Sequence, residues 1–318
     1  MATNSQCSTL RASRRVIVAG PTAVGKSSAA LSLAERIGGE IISVDSMQVY
    51  RGLDIGTAKP SAQERKRVPH HLIDVVELSA PFDAAQFSRL AHDAVADIQQ
   101  RGGVPILSGG TGLYFKAFLE GLGGAPPADA ALRAELEATP LPELLRELEQ
   151  RDPIIFAKID RKNPRRVIRA LEVVRLTDKP FSAQRAAWNA ERGTQNADRF
   201  FCLTRSSADL RARIEDRVDE MFARGLVRET EQLLKRGLAK NEAAMQAIGY
   251  RQVVEHLRDE RSLPDTIALV KRRTRQFARR QMTWFRRQFT WEWINLGPQA
   301  NGETVATQLI GRCEKVGL

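Results

Sequence analysis

The sequence contains few of the features that mark membrane, secreted or zinc-binding proteins. Its three cysteines, Cys7, Cys202 and Cys313, lie far apart and form no C-x-x-C pair, so neither a disulfide framework nor a zinc site is predicted. No apolar run approaches the roughly 18 residues that a membrane-spanning helix needs, and the N-terminus lacks the apolar centre of a secretory signal. We therefore expect a cytoplasmic protein with no membrane association.

The composition is that of a folded chain with a basic balance. Hydrophobic residues make up 42% of the 318 residues, enough for one large domain or two of ordinary size. Residues 1–15 are polar and contain no acidic residue, and we expect a disordered tail at 1–13. The net charge is +11, and its location decides what it implies.

Two segments carry most of this charge. Residues 161–175 contain six basic residues and one acidic residue, and residues 266–291 contain eight basic residues and no acidic one. Focused basic patches favour a long polyanion as partner, because several phosphate contacts made together release counterions. A solvated helix face is an equally open interpretation of each patch.

The most informative segment is residues 20–27, GPTAVGKS, a complete G-x-x-x-x-G-K-S phosphate loop. It follows the apolar run Val16–Ala19 and precedes a helical pattern, which is the context that such a loop requires. Its glycines let backbone N–H groups face phosphate oxygens, Lys26 adds a cation, and Ser27 offers a hydroxyl to Mg²⁺. By itself the loop is of the nucleotide- and ATP-binding type, and it does not decide which phosphorylated ligand is bound.

The order of apolar and polar segments predicts the fold. Over the first 120 residues short apolar strands alternate with helical stretches, and strands are predicted at 16–19, 40–44, 71–76, 104–107 and, much later, 199–203. From Gly121 the sequence becomes Leu- and Glu-rich and helical. We predict an α/β fold, a P-loop NTPase-like parallel sheet flanked by helices, with an inserted all-helical domain. The predicted boundaries are 14–120 for the first part of the catalytic core, 121–197 for the insertion and 198–318 for the second part, with basic C-terminal helices.

Polar segments follow the predicted strands at the edge where open α/β sheets bind ligands. Asp45 follows the second strand and can order Mg²⁺ through water or accept a proton from an attacking nucleophile. The alternative is that Asp45 only caps the next helix. After the fourth strand, residues 109–112 place three glycines around Thr111. This pattern fits close approach to a ligand, or a tight strand-to-helix turn with no ligand.

Arginines on two later helices are further candidates. Arg211, Arg213 and Arg217 follow the strand at 199–203, where an arginine could stabilise charge on a leaving group or form a surface ion pair. The segment 271–289 interleaves arginines with aromatic residues. At helical spacing the residues predicted to face inward are Ile267, Val270, Thr274, Phe277, Gln281 and Trp284, and those predicted to face outward are Arg272, Arg275, Arg279 and Arg286.

Taken together, these segments resemble the bacterial tRNA dimethylallyltransferases, also called tRNA isopentenyltransferases. The motifs that carry the resemblance are residues 20–27 (GPTAVGKS), 45–50 (DSMQVY), 54–60 (DIGTAKP), 109–114 (GGTGLY), 166–172 (RVIRALE) and 273–281 (RTRQFARRQ). The order and spread of these motifs make the match far more specific than a phosphate loop alone.

The resemblance implies transfer of a dimethylallyl group from dimethylallyl diphosphate to N6 of the adenosine beside the anticodon of tRNA, with release of diphosphate. It implies Mg²⁺ as cofactor and the tRNA anticodon stem-loop as partner, and we expect a monomer. Asp45 would be the general base, Lys26 and Arg213 the catalytic cations, and Ser27 the Mg²⁺ ligand. The phosphate loop would then hold the leaving diphosphate.

The resemblance also assigns binding residues by position. Those implied for the diphosphate are Gly20, Pro21, Thr22, Ala23, Val24, Gly25, Lys26 and Ser27. Those implied for tRNA are Asp45, Ser46, Met47, Gln48, Thr111, Arg165, Arg166, Val167, Ile168, Arg169, Gln246, Ala247, Ile248, Gly249, Tyr250 and Arg251. Where the family often has a Gln-Arg pair, this chain has Arg165 and Arg166 after Pro164, and it has no C-terminal Cys/His finger.

Four rival functions share some of these features. A small-molecule or nucleoside monophosphate kinase shares the loop and an insertion but explains neither basic patch. A regulatory GTPase would need an Asn-Lys-x-Asp motif, which does not occur in this sequence. An enzyme that prenylates free adenine nucleotides needs no basic 271–287 surface, and a non-enzymatic RNA-binding ATPase predicts binding without product.

Overall fold

The structure, a computed structural model, describes residues 15–123, 125–186 and 198–314, so the tail expected at 1–13 lies outside the described residues. The chain divides into two compact units. The larger consists of Met1–Phe118 with Gln195–Leu318, and the smaller is Leu119–Thr194, whose ends differ by a few residues from the insertion expected at 121–197. Within the described residues, no helix is both long and apolar enough to cross a membrane.

A parallel sheet forms the centre of the larger unit. Its strands within the described residues are β1 (Val16–Ala19), β2 (Gly39–Val44), β3 (His70–His71), β4 (Val104–Gly109), β5 (Arg199–Arg205) and β6 (Glu292–Leu296). Their order is β3-β2-β4-β1-β5-β6, and every neighbouring pair is parallel. The predicted α/β class with a parallel sheet flanked by helices is therefore confirmed.

Helices follow in chain order on both sides of the insertion. The first four are α1 (Lys26–Ile37), α2 (Ala62–Arg67), α3 (Ala84–Gln100) and α4 (Gly112–Glu120). Those of the smaller unit are α5 (Ala130–Ala138), α6 (Leu141–Arg151), α7 (Pro153–Phe156), α8 (Pro164–Thr177) and α9 (Phe181–Ala186). The last are α10 (Ser207–Ala223), α11 (Leu226–Lys235), α12 (Tyr250–Leu257), α13 (Leu263–Arg287) and α14 (Gly302–Glu314).

Each unit has its own apolar core. In the larger unit, β1 is fully buried and packs with α1 and α14, because a parallel strand covered on both faces has no solvated side. In the smaller unit, leucine and isoleucine side chains of α6, α7 and α8 form a separate core around Leu148 and Leu171. The smaller unit thus has the buried apolar surface that an all-helical domain needs.

The third predicted strand is largely wrong. It was expected at 71–76, but β3 covers only His70–His71, and Val76 makes a single bridge to Tyr50. The backbone turns at Leu72 and Asp74, which have φ values of 61° and 56°. The turn brings the Asp74 carboxylate to Lys59 Nζ at 2.6 Å and to the Arg65 guanidinium at 2.7 Å.

Strand β6 was not predicted, although its sequence carried a signal. Residues 292–296 alternate between exposed and buried side chains, with Ile294 and Leu296 buried and Trp293 partly exposed. That alternation is the period of a strand with one solvated face. The sequence predicted basic helices for this last part of the chain and no strand after residues 199–203.

Candidate active site

A cavity of about 340 Å³ lies in the larger unit, where β1, β2 and β4 end. These three strands are neighbours in the sheet, so the segments that follow them meet at one edge. The polar and charged side chains that line the cavity come from Thr22, Lys26, Ser27, Ser43, Asp45, Ser46, Gln48, Thr57, Ser108, Thr111, Arg217, Gln246, Thr274, Arg280 and Gln281. The structure thus brings together the phosphate loop, Asp45 and Thr111, which the sequence placed in separate segments.

The phosphate loop turns sharply before α1 begins at Lys26. Gly20 and Gly25 have φ values of 150° and 107°, and a Cβ at Gly20 would lie 2.7 Å from the carbonyl oxygen of Leu203 on β5. Glycine is needed at position 20 both for the backbone angle and for packing against the next strand. Lys26 Nζ donates to the carbonyl oxygen of Pro21 at 2.7 Å, so the lysine lies against its own loop.

Three side chains from later elements hold the backbone of this loop. Gln281 on α13 accepts a hydrogen bond from Thr22 N–H at 2.8 Å. Arg213 on α10 donates to the carbonyl of Ala23 at 3.0 Å, and Arg205 on β5 donates to that of Val24 at 2.8 Å. Because these three hydrogen bonds hold backbone groups of the loop in place, they favour a fixed loop conformation, which pre-organised anion binding requires.

Asp45 faces the cavity from the end of β2. Its Oδ1 atom accepts hydrogen bonds from the backbone N–H groups of Met47 and Gln48, at 2.8 and 3.2 Å. Residues 46–49 form turns, so Asp45 caps a turn and not the helix considered as the alternative. The two bonds fix the carboxylate while it lines the cavity, so both the structural and the functional interpretation fit this residue.

The cations beside Asp45 are Lys26 and Arg217. Burial and the charge of Arg217 lower the pKa of Lys26 to about 7, against the opposing effects of Asp45 and Cys202. Burial also lowers the pKa of Arg217, although Asp45 acts in the opposite direction. The site therefore holds positive charge in a buried setting, where an anionic ligand gains most from it.

Of the two arginines Arg213 and Arg217 on α10, Arg217 lines the cavity, as does Arg280 on α13. Arg213, one turn earlier on α10, contacts the outside of the phosphate loop through Ala23 and is not among the lining residues. Arg211 pairs with Glu215 at the surface, as the simpler interpretation expected. The i, i+4 spacing of Arg213 and Arg217 gave both residues the same face, and only the packing of α10 distinguishes them.

The glycines at 109–112 are required mainly by packing. A Cβ at Gly109 would lie 2.1 Å from the carbonyl of Val44, one at Gly110 2.3 Å from the Gln281 amide, and one at Gly112 2.4 Å from the Trp284 ring. They let β2 and α13 approach the turn. Thr111 Oγ1 accepts a hydrogen bond from Ser46 N–H at 3.2 Å, which ties this turn to the Asp45 segment.

Two residues implied for tRNA binding support the cavity wall. Gln48 accepts from the Ser43 hydroxyl at 2.8 Å and donates to the Thr57 carbonyl at 3.1 Å. Tyr250 is fully buried, and its hydroxyl donates to Glu229 at 2.6 Å and accepts from Gly56 N–H at 3.1 Å. Because Tyr250 has no exposed surface, its side chain acts on the cavity through Gly56.

The remaining residues of the 246–251 segment lie at the cavity or near it. Gln246, Ala247 and Ile248 line the cavity, and Gly249 has a φ value of 102° that begins α12. Arg251 is exposed and donates to Glu255 at 3.2 Å. The segment therefore combines a lining surface with one solvated arginine.

The 165–169 segment belongs to the smaller unit. Arg165 and Arg166 are exposed at the start of α8, whereas Val167 and Ile168 are buried in its core. Arg169 donates to buried Glu172 at 2.6 Å and to the Pro126 carbonyl at 2.7 Å. The exposed positions 165 and 166 are the ones that can meet a ligand directly.

Helix α13 presents basic residues to solvent along most of its length. Of the residues expected to face outward, Arg272, Arg279 and Arg286 are exposed, whereas Arg275 is half-buried and donates to Glu215 at 2.8 Å. Val270 and Gln281 are buried as expected. The helix thus has a basic outer face and an inner face that reaches the cavity.

Comparison with known proteins agrees with this geometry. A family model described as IPP transferase matches residues 48–288. The chain belongs to the IPP transferase family. It is 48% identical over 294 residues to the tRNA dimethylallyltransferase of Geobacter metallireducens, with 88% of this chain and 92% of that one covered. It is 42% identical over 306 residues to that of Pelotomaculum thermopropionicum, covering 94% and 95% of the two chains.

Solved structures of the family have the same fold. The tRNA isopentenylpyrophosphate transferase of Bacillus halodurans matches with a TM-score of 0.69 and 38% identity, over 96% of this chain and 98% of that one. A eukaryotic dimethylallyltransferase acting on tRNA matches with a TM-score of 0.78 and 29% identity, over 92% and 76% of the two chains. The fold that carries the phosphate loop and Asp45 is thus shared with solved structures of this family.

Proposed function

We propose that this enzyme transfers a dimethylallyl group from dimethylallyl diphosphate to N6 of the adenosine adjacent to the tRNA anticodon, releasing diphosphate. The observation that carries the proposal is the shared cavity. It joins a phosphate loop, the half-buried cations Lys26 and Arg217, and a carboxylate in a chain of the IPP transferase family. Such a set suits a reaction in which an anion leaves while a nucleophile loses a proton.

The charges of the site fit the chemistry of allylic transfer. Cleavage of an allylic carbon–oxygen bond builds negative charge on the diphosphate, and Lys26 with the loop N–H groups would stabilise it. Arg217, which lines the cavity, is better placed than Arg213 to contact the leaving group. Arg213 would act on the diphosphate through the loop, by holding the Ala23 carbonyl.

Asp45 is the proposed general base. The exocyclic amine of adenine is a weak nucleophile because its lone pair is delocalised into the ring, so removal of its proton during attack assists the reaction. The bonds from Met47 and Gln48 N–H fix the carboxylate towards the cavity. Asp45 would then accept the proton as the new carbon–nitrogen bond forms.

Mg²⁺ is the proposed cofactor, and the residues present fit it. Ser27 is exposed and lines the cavity together with Asp45, whereas the described part of the chain has no group of three or more His, Cys, Asp or Glu side chains that could hold a metal ion. This donor set suits Mg²⁺, which typically takes one or two protein ligands and completes its shell with phosphate oxygens and water. When bound, the ion would neutralise charge on the leaving diphosphate.

The tRNA would be held by basic residues of both units. Exposed Arg272 and Arg279 on α13, and exposed Arg165 and Arg166 on α8, are suited to contacts with backbone phosphates. An adenosine of an anticodon loop must leave its stack to reach a cavity. We propose that the enzyme works in the cytoplasm as a monomer. Among the described residues, the exposed large apolar side chains lie far apart in the sequence, which favours a monomer over an apolar interface.

One assay tests the proposal and its rivals. The enzyme is given labelled dimethylallyl diphosphate, ATP, AMP and tRNA with Mg²⁺, and the label and the nucleotides are followed separately. Label on tRNA, with ATP intact, is the expected result. Label on AMP alone, phosphate transfer from ATP, or tRNA binding without product would each overturn the proposal in favour of a different rival.

The general base is tested by Asp45→Asn. This variant keeps an acceptor for the Met47 and Gln48 N–H groups but removes the base. We expect a loss of about 10²- to 10⁴-fold in single-turnover transfer with tRNA affinity preserved. Transfer at a near wild-type rate would exclude Asp45 as the base.

A further inference from the structure

The side chain of Gln281 spans two segments of the active site. Its Oε1 accepts from Thr22 N–H in the phosphate loop at 2.8 Å, and its Nε2 donates to the Gly110 carbonyl at 2.9 Å. The residue is almost fully buried and lines the cavity. A single amide group therefore links the turns that follow β1 and β4, just beyond the pairing of Ala19 with Gly109 in the sheet.

The connection continues from Gly110 to the proposed base. Thr111 Oγ1 accepts from Ser46 N–H, and Thr111 N–H donates to the Val44 carbonyl, both at 3.2 Å. Ser46 follows Asp45 directly in the chain. Short polar contacts thus lead from the diphosphate loop through Gln281 and Thr111 to the backbone that carries the carboxylate.

The amide satisfies both ends of this bridge, which an ionised carboxylate could not do. Thr22 offers a donor and Gly110 an acceptor, so the bridging group must accept at one atom and donate at the other. A carboxylate would accept from Thr22 but would face the Gly110 carbonyl without a proton. The fit is tight as well, because a Cβ at Gly110 would lie 2.3 Å from Nε2.

Helix α13 carries this amide on its inner face and exposed arginines on its outer face. Arg279 is two positions before Gln281 on the same helix and is solvent exposed. The helix that carries the exposed arginines thus also carries the amide that links the phosphate loop to the Gly110 turn.

We propose that Gln281 is a positioning residue for the transfer reaction, which sets the leaving diphosphate at a fixed distance from the base that receives the adenine proton. The proposal rests on the function proposed above. Its effect is expected in the rate of the chemical step, because misplacement of reacting groups by about 1 Å lowers rates by about 10²-fold. The affinity for tRNA is expected to stay the same, because the exposed arginines proposed to contact its phosphates are unchanged.

The test compares Gln281→Met, which keeps length and loses both bonds, with Gln281→Glu, which keeps the acceptor and loses the donor. The matched control is Gln308→Glu, the same change of charge at an exposed position on α14. Single-turnover transfer from labelled dimethylallyl diphosphate is expected to fall about 10- to 10²-fold in both Gln281 variants. The tRNA Kd should stay within about twofold, and Gln308→Glu should match the wild type.

A double-mutant cycle separates positioning from loss of folded protein. If Gln281 acts through Thr111, the double variant with Thr111→Val should be clearly less impaired than the product of the single effects. Multiplicative effects, or a Gln281→Met rate within twofold of wild type, would overturn the proposal.

A binding measurement keeps this test independent of the proposed function. The affinity for inorganic diphosphate with Mg²⁺, measured by calorimetry, is expected to fall about tenfold in Gln281→Met because Thr22 loses its anchor. If wild-type enzyme labels no tRNA, the proposed function fails, and an unchanged diphosphate affinity would then refute the positioning role as well.

Discussion

The pKa of Lys26 leads us to expect that diphosphate binding weakens as the pH rises above 7. Burial and Arg217 lower this pKa from 10.5 to about 7 in the free site. A bound diphosphate favours the charged amine, so its binding raises the pKa again. Below pH 7 the lysine is already protonated and no proton is needed. Above pH 7 binding must take up a proton, and the affinity should fall up to tenfold for each pH unit.

The same linkage fixes the number of protons taken up. With a pKa of about 7, roughly 0.9 of the Lys26 side chains are neutral at pH 8, so binding should take up nearly one proton there. Calorimetry of Mg²⁺–diphosphate binding in two buffers with different ionisation enthalpies measures this uptake directly. The ligand titrates too, so the quantity of interest is the difference between wild type and Lys26→Met, which has no titrating group at this position.

Comparison of the wild type with Lys26→Met can also refute the expected pKa of Lys26. Lys26→Met should bind more weakly at every pH and lack the lysine part of the proton uptake. If wild type and variant take up equal numbers of protons at pH 8, the lysine is already charged in the free site. The reasoning from burial and the Arg217 charge would then be wrong.

Three further substitutions test the site and the residues that support it. Arg217→Leu is expected to lower kcat/KM for transfer by about 10²- to 10³-fold. Arg213→Leu should have a smaller effect, because Arg213 acts through the Ala23 carbonyl; equal losses, measured with dimethylallyl diphosphate as the varied substrate, would contradict the assignment. Tyr250→Phe should lower the free energy of unfolding by about 1–2 kcal/mol, because Gly56 N–H and Glu229 lose a buried partner. Denaturant unfolding measures this change, and unaltered stability would argue against the Tyr250 network.

The strands rich in apolar residues could be predicted from the sequence. Residues 16–19 were placed correctly, and 40–44 and 104–107 lie within β2 and β4, because strands buried on both faces are mostly apolar even where Glu40 and Ser43 interrupt β2. The third strand could not be placed, because its end depends on Lys59 and Arg65 reaching Asp74 across the chain. No local pattern carries information about that contact.

In the candidate site, too, local sequence patterns predicted some residues, whereas others depend on contacts between distant parts of the chain. The phosphate-loop pattern identified Lys26 and Ser27, and position after a strand identified Asp45. The choice between Arg213 and Arg217 was beyond the sequence, since both follow the same helical spacing and differ only in what α10 packs against. The glycines at 109–112 were open to two interpretations, and the contacts of Gly110 and Gly112 with α13 show that packing requires them.

The sequence by itself determined the class of the fold, the phosphate loop, the two basic segments and the resemblance to a family, because each of these is written in residues close together in the chain. Tertiary structure alone decided which of those residues share a cavity. Gln281 is the clearest case, because its partners Thr22 and Gly110 lie far away in sequence and meet it only when α13 packs against the strand ends. A glutamine at an inward helical position predicts burial, whereas its two hydrogen bonds depend on where the rest of the chain has folded.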